Sequence, residues 1–200
     1  MLNDTISPAP RHQLPPERLL IRRLWARDEA IFRDHLHRLD ARSRRARFGG
    51  AVEGSFLDRY AATALSLEGL IYGGFVEGKL RAARELRSLG ETSPRSAEAA
   101  FSVEQAYQDS GVGTALMGRV ITAARNRGFR TIYMICLADN ARMRRLAEKH
   151  GADLQVEGDS IEGTIRHLGP SPITLLEEMV HDAQGFVTAV LRWPAGGEQA

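Results

Sequence analysis

Between Ala97 and Leu137 the chain reads as strand, glycine-bearing loop, helix and strand in unbroken succession. Ala97–Val103 is a short apolar strand. Thr114–Arg127 is a helix stopped by Gly128, and Thr131–Leu137 is a β-rich run, Thr-Ile-Tyr-Met-Ile-Cys-Leu. Strands joined through a helix mark a βαβ-containing α/β domain. A second helix, Asn140–His150, opens on an asparagine cap and closes at Gly151. Gly128 and Gly151 both occupy the position where a helix end turns left-handed.

The upstream half adds an antiparallel partner to that unit. Arg18–Leu24 reads as an opening strand, and Asp28–Leu39 carries Ile31, Phe32, His35/Leu36 and Leu39 at helical spacing. Arg42–Phe48 and Phe56–Leu65 read as short helices. Leu70–Val76, the turn Glu77-Gly78-Lys79 and Leu80–Leu86 make a hairpin. A hairpin followed by one βαβ unit points to a mixed sheet. The 200 residues fit one domain, divided as a polar leader (1–16), a folded domain (17–169) and a C-terminal extension (170–200). In the extension, Ser171-Pro172 precedes Ile173, Leu176, Met179 and Val180 at helical spacing, and Phe186–Trp193 reads as a last strand. The segment is expected to pack on the domain, a homodimer contact being the alternative.

Several function classes fall away. Cys136 is the only cysteine, which excludes an internal disulfide and a multi-cysteine zinc site. Its apolar surroundings suit a buried, inert thiol. Six histidines lack metal-ligand spacing with nearby carboxylates, so no metal is expected. No run approaches the ~18 apolar residues of a membrane span, and the first twenty residues lack the apolar core of a secretory signal. The expected location is cytoplasmic, with no membrane partner. The net charge of +2 divides into +8 over residues 1–150 and −6 over residues 151–200. Arg42, Arg44, Arg45 and Arg47 read as a solvated helix face or as a basic rim favouring an acidic peptide or metabolite. Nucleic-acid binding would need exposed aromatics among such cations, and only Phe48 is near.

The loop Gln108-Asp109-Ser110-Gly111-Val112-Gly113-Thr114 carries the chemistry. Two glycines spaced by one residue let a backbone approach a bulky anion, with the N–H groups of the helix start aimed at it. A Walker A loop would need lysine after Gly118, where Arg119 stands. A dinucleotide fingerprint would need a third small residue where Leu116 stands. The remaining pattern, Gln/Arg-x-x-Gly-x-Gly/Ala, is met in full by Gln108-Asp109-Ser110-Gly111-Val112-Gly113. On this motif the chain resembles the GNAT superfamily of N-acetyltransferases, over Ser96–Leu168. Ala97-Glu98-Ala99-Ala100-Phe101-Ser102-Val103 and Ser43-Arg44-Arg45-Ala46-Arg47-Phe48 are similar to its protein-lysine-acetyltransferase branch.

The resemblance implies a mixed, mostly antiparallel sheet with helices on both faces and a splayed fourth and fifth strand. It implies acetyl-CoA as co-substrate and direct acetyl transfer to a primary amine, on a small molecule or a protein lysine. Backbone groups at Val103 would meet the pantetheine arm. N–H groups from Gln108 through Thr114, among them Asp109, Ser110, Gly111, Val112 and Gly113, would hold the pyrophosphate, and Asn140 would contact the CoA when not simply capping its helix. Glu98 matches the position of glutamate general bases. The alanines beside it are expected to desolvate it in part. Glu104, at the strand end and expected to be solvated, is the alternative base. Two departures stand out. Ala147 replaces the tyrosine that often protonates the leaving thiolate, and Ala152 replaces a phenylalanine that often follows the glycine. A non-catalytic acyl-CoA-binding module is therefore the competing reading.

Overall fold

Seven strands form one sheet in the computed structural model, which describes residues 18–65, 69–166 and 169–191. They are β1 (Leu19–Arg23), β2 (Leu70–Val76), β3 (Lys79–Ser88), β4 (Ser96–Val103), β5 (Thr131–Leu137), β6 (Asp153–Glu157) and β7 (Ser160–Arg166), in the order β1-β2-β3-β4-β5-β7-β6. Six helices accompany them: α1 (Glu29–Arg38), α2 (Ala41–Phe48), α3 (Gly54–Ala64), α4 (Val112–Asn126), α5 (Ala141–Lys149) and α6 (Pro172–Leu191). The expected leader lies outside the described residues.

Local chemistry sets the pairing. Glu77 and Gly78 both have positive φ (52° and 79°), the two-residue turn whose twist matches a hairpin, and Val76 then pairs with Lys79. All neighbouring strands run antiparallel except β4 and β5, which the α4 crossover makes parallel. Strand alternation sends side chains to two cores. On one face Leu116, Val120 and Ala123 of α4 and Ala147 of α5 meet Tyr72, Ala82, Ala97, Ile132 and Ile165. On the other, Phe32 and Leu36 of α1 and Leu57 and Ala61 of α3 meet Ile71, Phe75, Leu80 and Ala83.

The structure differs from the sequence expectation in three places. β6 and β7 form a hairpin that the sequence reading did not assign. The segment Phe186–Trp193, read as a strand, is helical as far as Leu191, where the description ends. α4 begins at Val112, two residues before the expected Thr114, because Gly111 takes the left-handed conformation as its N-cap.

α6 packs on the domain with its polar side. Thr174 Oγ donates to Asn126 Oδ1 (2.8 Å), and Glu178 accepts from Asn126 Nδ2 (2.6 Å) and Arg127 Nη1 (2.6 Å). Its apolar residues Ile173, Leu176 and Met179 are exposed. Among the described residues no helix is long and apolar enough to cross a membrane.

Candidate active site

The β4–β5 ladder is short. Ser96, Ala97 and Glu98 pair with Thr131, Ile132 and Tyr133, and the strands then part company, the rest of β5 pairing only with β7. On β4, the Glu104 N–H donates to the Arg81 carbonyl on the β3 side (2.9 Å). Successive residues of a strand alternate direction, so Val103 turns its N–H and C=O toward the split. Its carbonyl accepts from Gln108 Nε2 (3.0 Å), and that amide also donates to Ser43 Oγ of α2 (3.0 Å). Gln108 thereby ties the loop to both β4 and α2.

The loop itself leaves backbone donors uncapped. Asp109 and Gly111 both have positive φ (58° and 91°), and the first intrahelical bond of α4 runs from Ala115 N to Gly111 O (3.0 Å). The N–H groups of Val112, Gly113 and Thr114 precede that bond and have no partner within the helix. No side chain caps this end, and no acid stands in the first turn. A helix N-terminus left this way attracts negative charge through its dipole and its free donors. Nothing lies within 4 Å of where a Gly111 Cβ would be, so its backbone conformation, not crowding, demands glycine there. Ser110 faces inward, its hydroxyl donating to the Tyr107 carbonyl. Asp109 is held by Arg142 Nε (2.8 Å), with Arg145 Nη2 at 3.8 Å, so two cations of α5 flank the loop. Asn140 caps α5, its Oδ1 accepting from Met143 N (3.2 Å).

Glu98 stands at the vertex of the split, the last β4 residue paired to β5. It is exposed, which corrects the expected desolvation: Ala97 and Ala99 point to the opposite face and into the core. Its face of the sheet holds a cavity of about 210 Å³ lined by Arg47, Tyr60, Glu85, Arg87, Glu98 and Ala100. Glu85 pairs across the sheet with Ala100, and Arg87 with Glu98. The buried Glu85 carboxylate is saturated: Arg47 Nη2, Tyr60 Oη (2.5 Å) and Arg87 Nη2 (3.0 Å) all donate to it. Burial and that carboxylate push the Tyr60 phenol well above its ordinary range, so Tyr60 holds its proton.

Glu104 is not solvated. It is buried and accepts from Arg38 Nε (2.9 Å) and Arg81 Nη1 (2.8 Å), with His35 Nδ1 at 3.2 Å. Burial alone would raise its pKa, and the bonds from His35, Arg81 and Arg38 overcome that and bring it down to about 2. A carboxylate so held is a poor proton acceptor near neutral pH. The fully buried His35 also meets Ser102 Oγ through Nε2 (2.9 Å), and desolvation keeps its pKa low. This cluster fastens α1 to the end of β4.

Ala147 lies in the core against β7, where a Gly163 Cβ would be 3.7 Å from its methyl group, so no hydroxyl stands at that position. Cys136 is buried and its thiol is pushed up by desolvation. Among the described residues no group of three His, Cys, Asp or Glu could hold a metal ion. Sequence reasoning missed Arg142, Glu85, Tyr60 and Arg87. The one signal for Glu85 and Arg87 was the density of charged residues, Lys79, Arg81, Arg84, Glu85 and Arg87, within one strand.

The sequence model of the acetyltransferase (GNAT) family matches residues 33–152. Solved structures share the fold. The GNAT domain of PAT from S. lividans superposes with a TM-score of 0.65 at 18% identity, covering 78% of this chain and 100% of that one. YncA from Salmonella typhimurium, solved with its cofactor acetyl-CoA, gives 0.59 at 16%, covering 77% and 98%. PaiA N-acetyltransferase from Thermoplasma acidophilum, in complex with coenzyme A, gives 0.58 at 14%, covering 74% and 99%.

Proposed function

The chain belongs to the acetyltransferase (GNAT) family, and on that premise we propose that it moves an acetyl group directly from acetyl-CoA to a primary amine, with Glu98 as general base. The observation that carries this reading is the exposed Glu98 carboxylate at the vertex where β4 and β5 part, with a side-chain cavity on one side of it and an uncapped helix N-terminus at the other end of the split. Val112, Gly113 and Thr114 would donate their N–H groups to the pyrophosphate, within a loop positioned by Gln108, Asp109 and Ser110. Glu98 and Val103 are separated by about 16 Å of strand at ~3.3 Å per residue, a length suited to an extended pantetheine arm. Asn140 spends its Oδ1 on capping α5 and would offer its side-chain amide hydrogens to that arm.

When bound, acetyl-CoA supplies the thioester carbonyl that the amine attacks. A free alkyl ammonium has a pKa near 10.4, so the nitrogen must first lose a proton, and Glu98 takes it directly or through water. The new C–N bond replaces the C–S bond. Ala147 offers no proton to the departing sulfur, which leaves as a thiolate of pKa near 8.5; the second proton, shed by the nitrogen as the amide forms, passes through water to that thiolate, and the first leaves Glu98 to solvent. Cys136 is too buried to carry the acetyl group, and Tyr60 keeps its proton on Glu85.

Thiol release measured against a panel of primary amines tests this reading. The expected result is amine-dependent release with intersecting initial-velocity plots, since both substrates must be bound together. Tight acetyl-CoA binding without release for any amine would establish the binding-module reading instead. Parallel plots would point to a covalent acetyl-enzyme and overturn direct transfer.

A further inference from the structure

Glu98 and Arg87 face each other across β3 and β4, on the floor of the cavity beside the vertex. Residues directly opposite in an antiparallel pair lie about 4.5–5.5 Å apart at Cα. Opposite charges at that spacing ordinarily join. Here they do not: the Glu98 side chain makes no ion pair or hydrogen bond among the described residues, and Arg87 turns its Nη2 away to Glu85 (3.0 Å) and to Tyr60 Oη (3.1 Å). One cation and one carboxylate are thus left side by side, each with hydrogen-bonding capacity to spare. Arg87 keeps the N–H groups of Nε and Nη1. Glu98 keeps both oxygens.

We propose that the acceptor is a small amine bearing its own carboxylate, an α-amino acid, whose ammonium meets Glu98 and whose carboxylate meets Arg87. This rests on the acetyl-transfer reading above and names the substrate of that same cavity. The complementarity follows the reaction. Glu98 takes the proton from the nitrogen it binds, while Arg87 orients the nitrogen by holding the group one carbon away. Glu85 cannot compete for the ammonium, because three donors already occupy it. The volume fits as well. About 210 Å³ corresponds to roughly seven waters at ~30 Å³ each, enough for a small or medium amino acid and below the ~300 Å³ where drug-sized sites begin.

The surrounding field favours the same class. α2 lies against β4 and β5 and carries Arg42, Arg44, Arg45 and Arg47 with no acidic residue. Only Arg47 among these is engaged by the cavity carboxylate. A positive rim draws in carboxylated acceptors and repels a lysine presented by a basic peptide.

The test compares three probes on the wild-type protein by thiol release and product mass: L-leucine, L-leucinamide and 3-methylbutylamine, with a lysine peptide as a fourth. The expected kcat/KM for leucine exceeds that for the amide and the alkylamine by about 10- to 100-fold, the worth of one charge-assisted contact. The amide's amine is the less basic, so the comparison is weighted against the proposal. Arg87→Ala should collapse the leucine-to-alkylamine ratio toward one through KM, and Arg87→Lys should restore part of it. Equal or better turnover of leucinamide, or a preference for the lysine peptide, overturns the amino-acid proposal and leaves acetyl transfer standing. Absence of turnover with every amine overturns both. The wild-type panel decides the matter even if an Arg87 variant fails to fold.

Discussion

Glu98→Gln is expected to lower kcat for amine acetylation by about 10²–10⁴-fold, the usual worth of a general base, while acetyl-CoA affinity stays within about twofold. The substitution keeps the shape of the side chain and removes only its capacity to take a proton. Because Glu98 is exposed and makes no ion pair, its loss should move stability by no more than about 0.5 kcal/mol. A fall in rate is therefore a fall in catalysis, not in folded protein. The alternative base is disfavoured by its own environment: Glu104 is clamped by two arginines and a histidine and its pKa lies near 2. Turnover of Glu98→Gln within a few-fold of wild type would remove Glu98 from the reaction.

Glu104→Gln should instead cost stability. The native carboxylate has a pKa of about 2 against an ordinary 4.5, and that difference corresponds to about 3 kcal/mol at neutral pH. The sign is set by the depressed native value. The contribution is present in full above the unfolded pKa near 4.5 and drains away as pH falls toward about 2. His35 acts in the same direction: its native pKa is lowered by burial, so the unfolded chain takes up that proton first and stability declines as pH drops below about 6.5. Thermal unfolding of the Glu104→Gln variant at pH 7 is expected about 6–12 °C below wild type. The pH profile of the variant should be flatter than that of the wild type between 4.5 and 2. An unchanged melting temperature would show that Arg38 and Arg81 find other partners and that the cluster is not what holds α1 to β4.

The order from β1 to α5 was legible because each element announces itself locally. Asn140 caps α5, Gly111 ends a strand-and-loop run in the left-handed conformation, and the Glu77-Gly78 turn fixes the hairpin. The glycine loop that is proposed to hold the pyrophosphate was recognisable for the same reason, since its left-handed Gly111 and the free N–H groups after it are consecutive backbone features. β6 and β7 were not. β6 is an edge strand with mostly exposed residues, so no alternation of apolar side chains marks it. β7 is interrupted by Gly163, whose Cβ would come within 3.2 Å of Leu154; the close packing that makes the strand possible also breaks its pattern. The end of α6 carries Val187, Thr188 and Val190, whose intrinsic preference is for a strand and which helical context overrides.

The electrostatics of the site were hidden for a different reason. Glu98 is flanked by alanines in sequence, but those side chains lie on the other face, and its true neighbour is Arg87 across the strand. Glu104 sits beside a loop, yet its partners come from positions 23, 66 and 69 residues away. Neither environment exists until the register and the docking of α1 are set.

The central claim is that the split between β4 and β5, with the loop at its mouth, is an acetyl-CoA site. Calorimetric titration of folded protein free of copurified CoA tests it most directly. Saturable binding of acetyl-CoA at micromolar strength, one molecule per chain, is the expected result. An absence of binding heat and of competition by CoA, from protein whose unfolding transition shows it to be folded, would contradict the assignment of the loop and with it the chemistry built upon Glu98.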